Sequence, residues 1–161
     1  MIPILQTVVV AVITLGTGAS AVSVMNRDMP DLAVPVGAWQ PGSTLDGSAF
    51  NVTGTVVESG EILPETVLSF TDGKFQSSRC QIYCDFGWNA YETWREGDVT
   101  HFTATTACPE APHTVVWYGT VTGDDMQVAG TWTTRRWYWT RQITVDATGV
   151  PAVPVALTIE G

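Results

Sequence analysis

Several chemistries are closed to this sequence for want of residues. Only two histidines occur, His101 and His113, and a serine hydrolase needs one beside a nucleophile and an orienting acid. No G-x-S-x-G elbow, Walker loop, dinucleotide fingerprint, H-E-x-x-H pair or EF-hand loop is present. Bases are scarce too: seven Lys and Arg stand against sixteen Asp and Glu, a formal net charge of -9. A surface of that sign repels a phosphate backbone, so nucleic acid is not an expected partner. Asp124 and Asp125 read as a solvated hairpin tip rather than paired carboxylates, because turns favour Asp for local hydrogen bonds. A thiol enzyme would need an activated cysteine, and Arg79 beside Cys80 is the one arrangement that offers it. The chain is expected to be non-catalytic, with no cofactor and no resident metal.

Charge is also missing from the start of the chain, where no ionisable side chain precedes Arg27. Two readings of residues 1–26 stand side by side. In one, Ile2 to Leu15 is the apolar region of a signal peptide and Ala19-Ser20-Ala21 its cleavage site. In the other the segment stays as a membrane anchor, about 20 apolar residues being enough to cross a bilayer. Both place the rest on the periplasmic or extracellular side, attached to the membrane by the N-terminal segment if it is not cleaved. Residues 27–48, broken by proline and glycine, read as a linker, 49–149 as a folded domain and 150–161 as a tail. Three cysteines suit an oxidising compartment, and Cys80, Cys84 and Cys108 are the disulfide candidates. One thiol must be left over, and Cys80 with Cys108 is the favoured pair. A zinc site using all three and a histidine competes, on a poor C-x3-C spacing.

From Phe50 onward, short β-branched and aromatic runs follow one another between turn signals: Asp72-Gly73, Glu96-Gly97-Asp98 and Gly123-Asp124-Asp125. No long helix is evident. The series predicts an all-β domain, an antiparallel up-and-down barrel of about eight strands preceded by one N-terminal hydrophobic helix, since closure removes exposed edges. Alternation puts Val115, Trp117, Gly119 and Val121 on one face and Met126, Val128, Gly130 and Trp132 on another. Gly119 and Gly130 look like sites where small residues make room for rings. His101 falls on the opposite, threonine-rich side.

The densest stretch is GTWTTRRWYWTRQITV, residues 130–145. Read as one strand from Arg135 to Val145, it aligns Arg135, Trp137, Trp139, Arg141, Ile143 and Val145 on one face and points Arg141 toward the core. Tyr83, Trp88, Tyr91 and Trp94 lie in a segment, Cys80 to Trp94, placed to lid one barrel mouth. Such rings either fill a small barrel or stack a flat ligand. Trp88, Trp94, Trp137, Tyr138 and Trp139 are therefore the interaction or ligand candidates, and at least one ring of the triplet must face outward beside basic residues.

Two features resemble the lipocalin and avidin-like barrels. Gly37-Ala38-Trp39 is similar to the lipocalin G-x-W signature before the first long strand, and Arg141 resembles the arginine that packs over that tryptophan. The resemblance implies that Trp39 and Arg141 together close a barrel end. LSFTDGKFQSSRC, AYETWREGDVTHFTA, WYGTVTGDDM and RWYWT are similar to a group of small exported bacterial proteins of unassigned function. That likeness implies a barrel in an exported context and no activity. The expected function is an interaction or accessory subunit, tethered to the membrane and docked on a larger membrane-protein assembly. The alternative is a processed, soluble, lipocalin-like carrier of a small apolar or aromatic ligand, which requires a ring-lined cavity of about 300 Å3 or more.

Overall fold

The computed structural model describes residues 34–153. Its elements are β1 (Gln40–Pro41), β2 (Ala49–Val56), β3 (Ile62–Thr71), β4 (Lys74–Ser77), α1 (Ser78–Cys84), β5 (Asn89–Glu96), β6 (Val99–Ala107), β7 (His113–Thr122), β8 (Asp125–Arg135) and β9 (Thr140–Pro151). Strands β2 to β9 follow each other around one antiparallel sheet, and β9 returns to pair with β2 from Phe50↔Pro151 to Val56↔Val145. The sheet is a ring. Its thinnest seam is β4 against β5, joined only at Lys74↔Ala90 and Phe75↔Asn89. There β1, from the stretch read as a linker, adds Gln40↔Thr93 and Pro41↔Glu92. The expected N-terminal helix of residues 1–26 lies outside the described residues. Within them, no helix is long and apolar enough to cross a membrane.

The turns form where the sequence offers residues that tolerate positive φ. Asp72 and Gly73 sit at φ 50° and 72°, the geometry of a two-residue hairpin loop whose twist matches the flanking strands. At one end of the barrel, Phe50, Phe70, Phe75, Tyr91 and Phe102 form a buried aromatic cluster with Leu45, Leu68 and Met126. Phe70 stands at its centre, 5.0 Å from Tyr91, 5.1 Å from Phe102 and 5.3 Å from Phe75 between ring centroids. Glycines make the room expected of them. A Cβ on Gly130 would lie 3.0 Å from Trp117, and one on Gly119 would overlap the ring of Phe102 rather than of a tryptophan.

Three expectations are corrected. First, Arg135 to Val145 is not one strand: β8 ends at Arg135, β9 begins at Thr140, and residues 136–139 turn between them, with Arg136 N–H donating to the Trp139 carbonyl at 2.8 Å. The Arg135↔Thr140 pairing folds the aromatic triplet out of the ladder. Arg141, Ile143 and Val145 keep their shared face. Second, the disulfide joins Cys84 to Cys108, with Cα atoms 5.6 Å apart, and Cys80 is the buried free thiol. The cause is α1, which no expectation included: it sets Cys80 and Cys84 on one face a turn apart, so that the second lies beside Cys108 at the end of β6 while the first is buried and free. Third, Trp39 and Arg141 do not meet. Trp39 lies edge-on to Trp94 of β5, whereas Arg141 lies on β9, across the ring from β5.

Candidate functional site

The end of the barrel opposite the aromatic cluster is built from α1, the residues after Ala107, and the 136–139 hairpin. α1 ends at Asp85, whose φ of 52° turns the chain so that Phe86 packs inward with Cys80, Cys108 and Val115. The disulfide fixes this cap to β6. Tyr83 emerges from the cap and meets Trp132 edge-on at 4.9 Å and His113 at 6.1 Å. Between α1 and the hairpin runs a groove of about 380 Å3 lined by Tyr83, His113, Trp132, Thr134, Arg136, Trp139, Arg141 and Ile143.

His113 Nδ1 lies 2.8 Å from Thr134 Oγ1. Burial, seconded by the Arg136 guanidinium, holds His113 below the usual histidine range, so it is neutral near pH 7. The groove's positive charge therefore comes from Arg136 and Arg141, neither of which forms an ion pair among the described residues. Arg79 and Arg135 lie at the same end, leaving only Lys74 and Arg95 elsewhere among the described basic residues. Four of the six described basic residues thus gather at this end, which also holds Glu58, Glu61, Asp85 and Glu110. It is also aromatic: Trp137 is 77% exposed, Tyr83 66% and Tyr138 53%, with Ile82 beside Tyr83 at 86%.

Behind the cap, between β2 and β7 to β9, lies an apolar cavity of about 220 Å3. Trp117, Trp132, Val52, Val145, Ala147 and Cys80 are among its walls. Trp117 Nε1 donates to buried Thr106 Oγ1 at 3.2 Å, so its indole presents only apolar surface. Burial pushes the Cys80 thiol up, outweighing the lowering by Ser77 and Arg79. The thiol stays protonated and inert, contrary to the activation by Arg79 that the sequence offered. Cys84 and Cys108, being bonded to each other, are not free thiolates, and no cluster of His, Cys, Asp or Glu suited to a metal occurs among the described residues.

The remaining candidates lie apart from this end. Trp88 is half-exposed in the loop after α1. Trp94 stacks on His101 at 4.0 Å and 8° on the outer wall, where His101 Nδ1 reaches the Tyr118 hydroxyl at 3.0 Å and Nε2 lies 3.5 Å from Glu96. Gly37 lies against the Trp94 indole so closely that a Cβ would overlap it. The G-x-W stretch is thus a strap over this stack, and Trp39 holds it by donating from Nε1 to the Pro35 carbonyl at 3.1 Å. The stack was legible in principle: across the Glu96-Gly97-Asp98 turn, Trp94 must face His101. Compared with protein-family models, curated proteins and solved structures, the chain matches none.

Proposed function

We propose that this chain is a non-catalytic exported barrel, tethered by its uncharged N-terminal segment, that serves as an accessory subunit of a membrane-protein assembly. One observation carries the reading: exposed Trp137, Tyr138, Tyr83 and Ile82 gather at one barrel end with Arg136 and Arg141, which have no ion pair among the described residues. Exposed aromatics are costly in water, and Trp, Tyr and Arg are the side chains enriched at protein contacts. The apolar start of the chain would hold this end near a membrane partner. The test is co-purification from membranes of the intact chain, a Trp137→Ser/Tyr138→Ser variant and a variant lacking residues 2–25. Loss of the same partner from the variants, with an unchanged melting temperature for the serine variant, is expected. Full retention by both removes the proposal.

A second reading, the lipocalin-like carrier, draws support from the closed ring and from the cavity behind the cap. That cavity is ring-lined as a carrier requires, though about 220 Å3 rather than 300 Å3 or more. An apolar space near 150 Å3 holds benzene, so this one suits a small one- or two-ring compound. Replacing Ala147, which lines the cavity, by Leu would fill it, and carrier activity that survived this change would have to reside elsewhere.

A further inference from the structure

The groove between α1 and the 136–139 hairpin carries a narrower statement than the barrel end as a whole. We infer that it binds a ring joined to a carboxylate, the chemistry of an aromatic residue at a chain's C-terminus or of a free aryl acid. The inference rests on the reading that this end is the contact face, and names what the face takes hold of.

Two guanidiniums line one groove, neither with an acidic partner among the described residues. A guanidinium meets a carboxylate through two parallel hydrogen bonds, stronger than neutral ones and independent of pH across the physiological range. His113, held neutral, neither adds charge nor makes the site switch near pH 7. Apart from Thr134, whose hydroxyl is taken up by His113 and Trp132, the rest of the lining is mostly aromatic and apolar: Trp132, Trp139, Tyr83 and Ile143. A bare inorganic anion would leave those rings uncovered, and a neutral ring would cover the guanidiniums without pairing them. A ligand with both parts satisfies both walls. At about 380 Å3 the groove has room for one terminal residue or a two-ring acid. In a chain of charge -9, the two arginines of the groove lining supply the positive charge that a carboxylate needs there.

The test is calorimetric titration of the full purified chain with N-acetylphenylalanine, its C-terminal amide, 2-naphthoate and acetate. The two ring acids should bind at least about 10-fold more tightly than the amide or acetate, a ratio set by loss of one charge-assisted pair or of the ring contact. Arg141→Gln and Arg136→Gln should each weaken the ring acids by a similar factor while leaving the amide unchanged. Both side chains are exposed, so the variants should fold; equal melting temperatures check this, and Arg141→Lys should restore only part of the affinity. A preference for N-acetylphenylalanine identifies a chain terminus as the source, and a preference for 2-naphthoate a free acid. Equal binding of acid and amide, no effect of either Gln variant, or no heat with any probe overturns the inference. If it falls while Trp137→Ser/Tyr138→Ser still loses its partner, the docking reading stands; if the acids bind but the partner is kept, only the docking reading falls.

Discussion

Replacing Cys108 by Ala tests how the cap is held. The Cys84–Cys108 bridge closes a loop with a sequence separation of 24, and in the chain-entropy model such a closure stabilises the fold by about 3 kcal/mol. Cys108 is also buried against Phe86 and Val115, and losing its sulfur contacts adds a fraction of a kcal/mol. With a urea dependence of about 2 kcal/mol/M, a 3 kcal/mol loss moves the midpoint down by about 1.5 M. The assay is urea unfolding followed by tryptophan fluorescence, for the native chain with and without reductant, Cys108→Ala and Cys80→Ala. Reduction and Cys108→Ala should give nearly the same shift. Cys80→Ala should cost about 1 kcal/mol or less, the loss of one small buried group, and its midpoint should still fall on reduction. If Cys80→Ala instead abolishes the effect of reductant, the pairing is Cys80 with Cys108 and the cap geometry argued from α1 is wrong. A shift under about 0.5 M for Cys108→Ala would refute the entropic reasoning itself.

Phe70→Ala should be among the costliest core changes, about 4 kcal/mol, because Phe70 is fully buried among Phe50, Phe75, Tyr91 and Phe102; a cost below about 2 kcal/mol by urea unfolding would mean the cluster relaxes around the hole. Tyr91 donates from its hydroxyl to Asp46 at 2.9 Å, and burial and that carboxylate hold its phenol above the ordinary range. The folded state thus keeps the proton: this contribution is full below about pH 10, the unfolded value, and is lost as pH rises beyond it. Tyr91→Phe should lower stability near pH 7 by about 1–2 kcal/mol and flatten its alkaline fall, measured as unfolding free energy against pH. His113 has the opposite sign, its pKa being lowered in the folded state. Its contribution is present above the unfolded value of about 6.5 and lost as pH falls, so His113→Gln should reduce the acid-side slope of the same plot.

Much of the barrel is legible in the sequence because its turns announce themselves. Asp72-Gly73, Gly97 and Gly123 adopt the positive φ that glycine and aspartate permit, and the hairpins β3–β4, β5–β6 and β7–β8 turn at these positions. The 136–139 turn hid because Arg, Trp and Tyr are not turn residues, and a run of aromatics has the propensity of a strand. Only pairing across β8 and β9 reveals it. The disulfide was obscured by α1, since the reach of Cys84 depends on a single helical turn that seven residues do not advertise. The groove shared this fate: Tyr83, Arg136 and Arg141 are more than fifty positions apart at their widest in the chain, and no local pattern joins them. Arg141 lines this groove together with Trp139, whereas Trp39 lies against Trp94.

The pairing of β2 with β9 also governs how the molecule comes into being. The first long strand cannot complete its hydrogen bonds until the last has emerged, so the ring closes through the contacts most distant in sequence. Until then β2 and β8 each present an unpaired edge, open to other chains as readily as to β9. A nascent chain stopped before Thr140 is accordingly an open sheet with two adhesive margins, and the residues on which solubility during synthesis turns are those of β9, the final strand, rather than those of the core.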